Sequence, residues 1–264
     1  MVWVPYNNLA RRCRVFRHLV HLLSGKGVSF MDKDLIFLSC CSNQELEFLF
    51  QIITTKGSLT EFVTTSKEYK KYGKDYQRYT ALLANEILDF GSNTFWFQKT
   101  YHDVAKAACR KAGGNCHSSD STETIEMKLL SSLMNRAWKS MTEEQQKKFI
   151  ECSGNHGRAV YDVLGRIGSS AFYTLCRNSG LFSYHMTYLI ANELSYLVLK
   201  RGLSFSTNVT LLKTVASLTG PISPIGWIIT GVWTIADIAG PAYRVTVPAV
   251  AWIGCLRNIK KHQH

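Results

Sequence analysis

Residues 219–250 read TGPISPIGWIITGVWTIADIAGPAYRVTVPAV, an apolar stretch rich in Gly and Pro and nearly free of charge. Its reading decides the fold, because it is either a membrane-inserted element or the buried core of a helical protein. Pro221 and Pro224 restrict any helix to starting near them, so the clean helical run is 225–239, about 15 residues or ~22 Å, against a hydrocarbon core of ~30 Å. Within it Gly226, Thr230 and Thr234 recur at four-residue steps, a small-residue face that lets a second helix approach closely. Gly240-Pro241 ends that run, and Pro248 is expected to interrupt the next one. Two short helices meeting at Gly240-Pro241 would form a hairpin dipping into one leaflet, with Asp237 and Arg244 near the turn. The alternative is a tightly packed hairpin inside a soluble core.

The rest of the chain is that of an ordinary globular protein. It has 264 residues, 46% hydrophobic and 19% charged, which excludes a disordered chain and is too polar for a polytopic transporter. Eight cysteines are scattered along it behind no secretory signal, so they are expected as reduced thiols in a reducing compartment.

The net charge of +12 is unevenly placed. Residues 1–31 carry five bases, Arg11, Arg12, Arg14, Arg17 and Lys26, and no acid. Residues 32–175 are balanced, with 18 bases and 17 acids, and residues 176–264 hold eight bases against Glu193 and Asp237. Bases that flank apolar blocks fit anionic lipid headgroups better than nucleic acid, which calls for one charged face with interleaved aromatics. In the N-terminal segment Leu9, Cys13, Phe16, Val20 and Leu23 fall on one helical face, and Arg11, Arg14, His18 and His21 on another. Such a segment reads as a membrane-surface anchor, a mitochondrial presequence, or a helix packed on the body.

From Asp32 to about Arg166 the pattern is helix after helix. Ser42 and Glu45 fit a capping box opening a helix that stops near Gly57. Residues 76–90 carry a helical stripe. Asp120 and Glu123 open a long helix whose Leu130, Leu133, Met134, Ala137 and Met141 face inward, with Trp138 beside that stripe. Thr142 to Gln145 form a second capping box, and residues 111–119 (KAGGNCHSS) form a loop. Residues 178–199 contain Glu193 as their one charge but many polar groups, which favours an amphipathic helix over a span.

Chemistry is hard to find. Cys109, Cys116, His117, Cys152 and His156 could be drawn as a zinc set, but the tight pairs that let two ligands converge from one turn are missing. Cys40-Cys41 reads as a core pair. Cys152 and His156 lack a third group to orient them, and no phosphate-loop, dinucleotide, nucleophile-elbow or metalloprotease motif occurs. No cofactor, metal or catalytic residue is expected.

Residues 32–49 (DKDLIFLSCCSNQELEFL), 129–149 (LLSSLMNRAWKSMTEEQQKKF) and above all 242–257 (AYRVTVPAVAWIGCLR) resemble the YaaW-like family of bacterial proteins. The likeness covers roughly residues 32–258, and Trp138, Lys139, Met141, Tyr243, Arg244 and Pro248 fall on the shared pattern. It implies a helical fold and supplies no activity or catalytic residues. Through a distant grouping with the ubiquinol–cytochrome c chaperone domain it also implies an assembly chaperone of a respiratory complex as one possible role.

The sequence therefore predicts an all-α protein: a basic segment at 1–31, a helical body at 32–175 and an apolar helical region at 176–264. The expected function is membrane-associated binding or assistance to assembly. An assembly chaperone, a membrane-perturbing effector and an unrecognised enzyme around His185 and Glu193 are the alternatives. Expected partners are a membrane surface or lipid, with a protein client or self-association open and nucleic acid disfavoured. The expected location is the cytoplasmic face of a membrane, or alternatively mitochondrial. Gly226, Thr230, Thr234, Gly240, Pro241, Tyr243, Arg244 and Pro248 are the candidate membrane or helix-packing residues, and Arg11, Arg12, Arg14 and Arg17 the candidate lipid contacts.

Overall fold

A computed structural model describes residues 31–56, 62–92, 99–140, 142–144, 146, 180–200 and 242–261. These are α-helices α1 (Asn43–Lys56), α2 (Lys67–Tyr72), α3 (Thr80–Gly91), α4 (Tyr101–Lys111), α5 (Thr122–Ser140), α6 (Gly180–Leu199) and α7 (Tyr243–Lys261). Tighter 3-10 turns, Lys33–Cys40, Val63–Thr65 and Tyr76–Tyr79, link some of them. The fold is all-α, with no strand among the described residues.

Local chemistry sets the helix starts. The Ser42 capping box forms as read: the Ser42 amide donates to Glu45 Oε2 at 2.7 Å, and the Glu45 amide donates to Ser42 Oγ at 3.3 Å. Thr100 caps α4 by accepting from the Asp103 amide at 3.3 Å. At α5 the structure differs from the expectation. Ser121 Oγ accepts from the Thr124 amide at 3.2 Å, while Asp120 accepts from the His117 amide at 2.7 Å and pairs with Lys128 at 2.6 Å. Lys128 and the His117 amide outweigh partial burial and hold the Asp120 carboxyl below its ordinary range. The inward stripe of α5 is otherwise as expected, with Leu130, Leu133, Met134 and Ala137 buried. The side chains of Trp138 and Met141 lie outside the described residues.

Helix α7 runs through the core and packs against α1, α3, α4, α5 and α6. From Val245 to Ile259 every residue but Arg257 is buried. Pro248 is buried inside this helix and does not interrupt it, which corrects the expected break. A proline there gives no N–H to the carbonyl of Arg244 and costs about 3 kcal/mol. Each buried Val, Leu or Ile of the helix returns about 1.5–3 kcal/mol, so tertiary burial overrides the local rule. The described end of the opening stretch, Val245–Val250, is therefore core; residues 219–241 lie outside the described residues. Among the described residues no helix is long and apolar enough to cross a membrane.

Helix α6 also differs from the expectation. Consecutive residues Ile190 to Ser195 are all buried, so it is covered on more than one side and is not amphipathic. Its buried Thr187 is accommodated by α7: Asn258 Nδ2 donates to Thr187 Oγ1 at 2.6 Å, and the Cys255 thiol points to the Thr187 carbonyl at 3.5 Å.

Candidate functional site

The most concentrated polar chemistry in the described structure lies where the C-terminal turn of α7 meets α4, α5 and the 3-10 turn at Lys33–Cys40. Gly254 sets the distance. A Cβ built there would lie 3.0 Å from Glu126 Cβ, tighter than ordinary packing, so glycine lets α7 lie this close to α5 without Glu126 giving way. One turn later Arg257 reaches Glu126, with Nε to Oε2 at 2.7 Å and Nη2 to Oε1 at 3.2 Å. Nη2 also donates to the Asp34 carbonyl at 2.6 Å, and the guanidinium lies 4.2 Å from the centre of the Phe37 ring. From α4, Tyr101 donates its hydroxyl to Glu126 Oε1 at 2.8 Å, and its amide donates to Asp32 Oδ2 at 2.9 Å. A second chain of bonds runs alongside: Thr122 Oγ1 donates to Asp34 Oδ2 at 2.6 Å, with His102 Nδ1 3.1 Å from the same hydroxyl.

Burial governs the electrostatics. Desolvation raises the pKa of Glu126, partly offset by the hydrogen bonds and charge of Arg257 and by the Tyr101 hydroxyl. Burial also carries the Tyr101 phenol well above its ordinary value, and the adjacent Glu126 adds to that. Burial works against the charge of Arg257, but its bonds to Glu126 outweigh it and hold the guanidinium protonated. A tyrosine so far from neutral pH is a poor acid or base, and the polar groups here are engaged with one another. The arrangement is a clamp that fixes the C-terminal helix on the body.

A second clamp joins α7 to α1. Lys260 Nζ is 3.1 Å from the Glu45 carboxylate, the one that closes the capping box, and Trp252 Nε1 donates to the Glu45 carbonyl at 2.9 Å. The Trp252 ring stacks on Phe48 with centroids 4.3 Å apart.

Among the residues expected from sequence, Tyr243 opens α7 half-buried, with Lys111 Nζ 4.9 Å from its ring centre. Arg244 is half-buried and Pro248 buried, so these three sit along the N-terminal turns of α7, apart from Arg257 at its other end. Gly226, Thr230, Thr234, Gly240, Pro241, Arg11, Arg12, Arg14 and Arg17 lie outside the described residues, as does the side chain of His185. Glu126, Arg257 and Tyr101 were missed. One signal was available: Glu126 stands four residues before Leu130 and seven before Leu133, an acid on an apolar stripe.

The cysteines need a correction. Cys109 and Cys116 form a disulfide, so the expectation of eight reduced thiols fails at these two. The cause is the Gly113-Gly114 turn, with φ 85° at Gly113 and the Gly114 amide donating to the Cys109 carbonyl at 2.9 Å. It brings the two Cα atoms to 6.8 Å, within disulfide reach. The loop is pinned further by Ser132 Oγ, which donates to the Ala112 carbonyl at 2.8 Å. The vicinal pair divides: Cys40 is exposed, while Cys41 is buried and its thiol is pushed up to about 12, by burial first and then by Glu45. Because the thiolate is the reactive form, iodoacetamide at mildly alkaline pH should label Cys40 in the native protein and leave Cys41 and Cys255 unlabelled. Peptide mapping checks this, and equal labelling of Cys40 and Cys41 would contradict the packing described.

Comparison with known proteins finds relatives that the chain covers over more than nine-tenths of their own length. A UPF0174 protein of Helicobacter pylori is 36% identical over 235 residues, 86% of this chain and 91% of its own. Another UPF0174 protein of Helicobacter pylori is 32% identical over 209 residues, 76% of this chain and 98% of its own. The UPF0174 protein YaaW of Escherichia coli is 26% identical over 244 residues, 86% of this chain and 94% of its own. These names state no activity, and they give no support to a link with ubiquinol–cytochrome c chaperones. No family model and no solved structure matches the chain.

Proposed function

The chain belongs to the UPF0174 family, and from that premise we propose that it is a non-enzymatic helical protein that acts by binding at an anionic membrane surface. The observation that carries this reading is the N-terminal segment, with five bases and no acid in its first 31 residues and apolar residues at helical spacing. A basic amphipathic helix lies in the interface, holding anionic headgroups with its cations and the acyl boundary with its apolar face.

The test uses the full chain with phosphatidylcholine vesicles, with and without phosphatidylserine. Binding should require the anionic lipid and weaken with salt, and replacing Arg11, Arg12, Arg14 and Arg17 by Gln should cost about 1 kcal/mol per residue. Equal binding to neutral and anionic vesicles would overturn the electrostatic reading. Leakage of entrapped dye at the same concentrations would instead favour a membrane-perturbing effector.

A further inference from the structure

The segment from Lys67 to Arg78 places five cations, Lys67, Lys70, Lys71, Lys74 and Arg78, within twelve residues, and all five are exposed. Its acids are Glu68, which is exposed, and Asp75, which Arg78 meets at 3.4 Å. The four lysines make no ion pair among the described residues. Lys67, Lys70 and Lys71 fall at three- and four-residue steps, so they share one face of α2, and Lys74 follows directly after the Gly73 cap. Tyr72 is exposed at the end of the same helix, with Lys71 Nζ 5.0 Å from its ring centre.

Behind this face the segment is held by hydrogen bonds and ring contacts. Ser66 Oγ caps α2 by accepting from the Tyr69 amide at 3.0 Å, and Gly73, at φ 55°, ends it with its amide donating to the Tyr69 carbonyl at 2.8 Å. The Tyr79 hydroxyl donates to the Gly73 carbonyl. Tyr69 stacks on Phe50 at 5.3 Å and meets Tyr79 edge-on at 6.4 Å, while Tyr76 packs on Phe50 at 5.1 Å. One side of the segment is thus an aromatic buttress, and the other presents fixed positive charge with one amphipathic ring at its border.

We infer that the Lys67–Lys74 face is a second docking surface for anionic lipid headgroups, resting on the membrane-surface reading and adding a folded contact to the N-terminal segment. Lysine ammonium groups act as point charges on lipid phosphates and carboxylates. Tyrosine is favoured at the membrane interface, with its ring at headgroup level. A single-stranded nucleic acid would need successive exposed rings to stack on; here Tyr76 and Tyr79 are buried and Tyr69 is turned onto Phe50.

The test compares the full wild-type chain with a variant carrying Lys67→Gln, Lys70→Gln, Lys71→Gln and Lys74→Gln, and with the milder pair Lys70→Gln and Lys71→Gln. The probes are phosphatidylcholine vesicles with and without phosphatidylserine, and a single-stranded oligonucleotide. Each neutralised lysine should weaken binding to the anionic vesicles by up to about fivefold, so the pair should lose severalfold and the fourfold variant at least about tenfold, with melting temperatures unchanged. If the wild type binds anionic vesicles and both variants bind them equally well, this inference falls while the N-terminal reading stands. If the wild type ignores anionic vesicles, the membrane-surface reading falls and takes this one with it. Vesicle binding unchanged with oligonucleotide binding lost would make the face a nucleic-acid surface and overturn the lipid assignment.

Discussion

Arg257→Ala is expected to lower the stability of the protein by about 3–5 kcal/mol, the usual cost of leaving one member of a buried ion pair without the other. The reason lies in what remains. Glu126 is 2% exposed and would keep only the Tyr101 hydroxyl as a donor in this cluster, and burial already pushes its pKa upward. The Asp34 carbonyl would lose the guanidinium's hydrogen bond, and Phe37 the cation over its ring. Arg257→Ala also removes the alkyl stem that covers this junction. Urea unfolding followed by circular dichroism measures the change, at an unchanged slope if the native fold survives. Replacing Glu126 and Arg257 together by apolar residues of similar volume should cost much less than either change alone, because no buried charge is orphaned. A single Arg257→Ala costing under about 1 kcal/mol would class the pair with ordinary surface ion pairs and remove the clamp from the account of α7.

Much of the fold was legible because its causes are local. The Ser42 capping box could be read because Ser42 and Glu45 satisfy each other's amides within one turn. The stripe on α5 could be read because one helix face repeats every three or four residues. The clamp could not. Glu126 and Arg257 stand 131 positions apart, and no spacing rule joins them. Pro248 was misread for a related reason: its local penalty is real, but the packing that overcomes it comes from helices distant in sequence. The Cys109–Cys116 pair was hidden by judging cysteines on number and compartment, when the deciding feature was the Gly113-Gly114 turn between them. The lysine face was hidden by averaging. Over residues 32–175 charges nearly cancel, 18 bases against 17 acids, and that balance concealed a run of five exposed cations on one short segment.

Trp252 tests the second clamp and separates its parts. The indole is 1% exposed, stacks nearly parallel on Phe48 and donates to a carbonyl 207 residues away. Trp252→Ala removes the largest fully buried side chain of α7 and leaves a void between α7 and α1, at a cost of about 3–5 kcal/mol. Trp252→Phe keeps a ring to stack on Phe48 but withdraws the N–H from the Glu45 carbonyl. That carbonyl has a second lone pair and lies where the α1 ladder can use it, so the loss should be no more than the usual net value of a hydrogen bond, about 1 kcal/mol, plus a smaller cavity term. The difference between the two variants then measures most of the packing, and the Phe variant reports the bond together with that smaller cavity. Because the chain has six tryptophans, circular dichroism in urea is the cleaner readout than fluorescence. If Trp252→Phe cost as much as Trp252→Ala, the hydrogen bond to Glu45 would dominate and the stacking would contribute little. If Trp252→Ala were nearly neutral, α7 could not be the element around which the other helices pack.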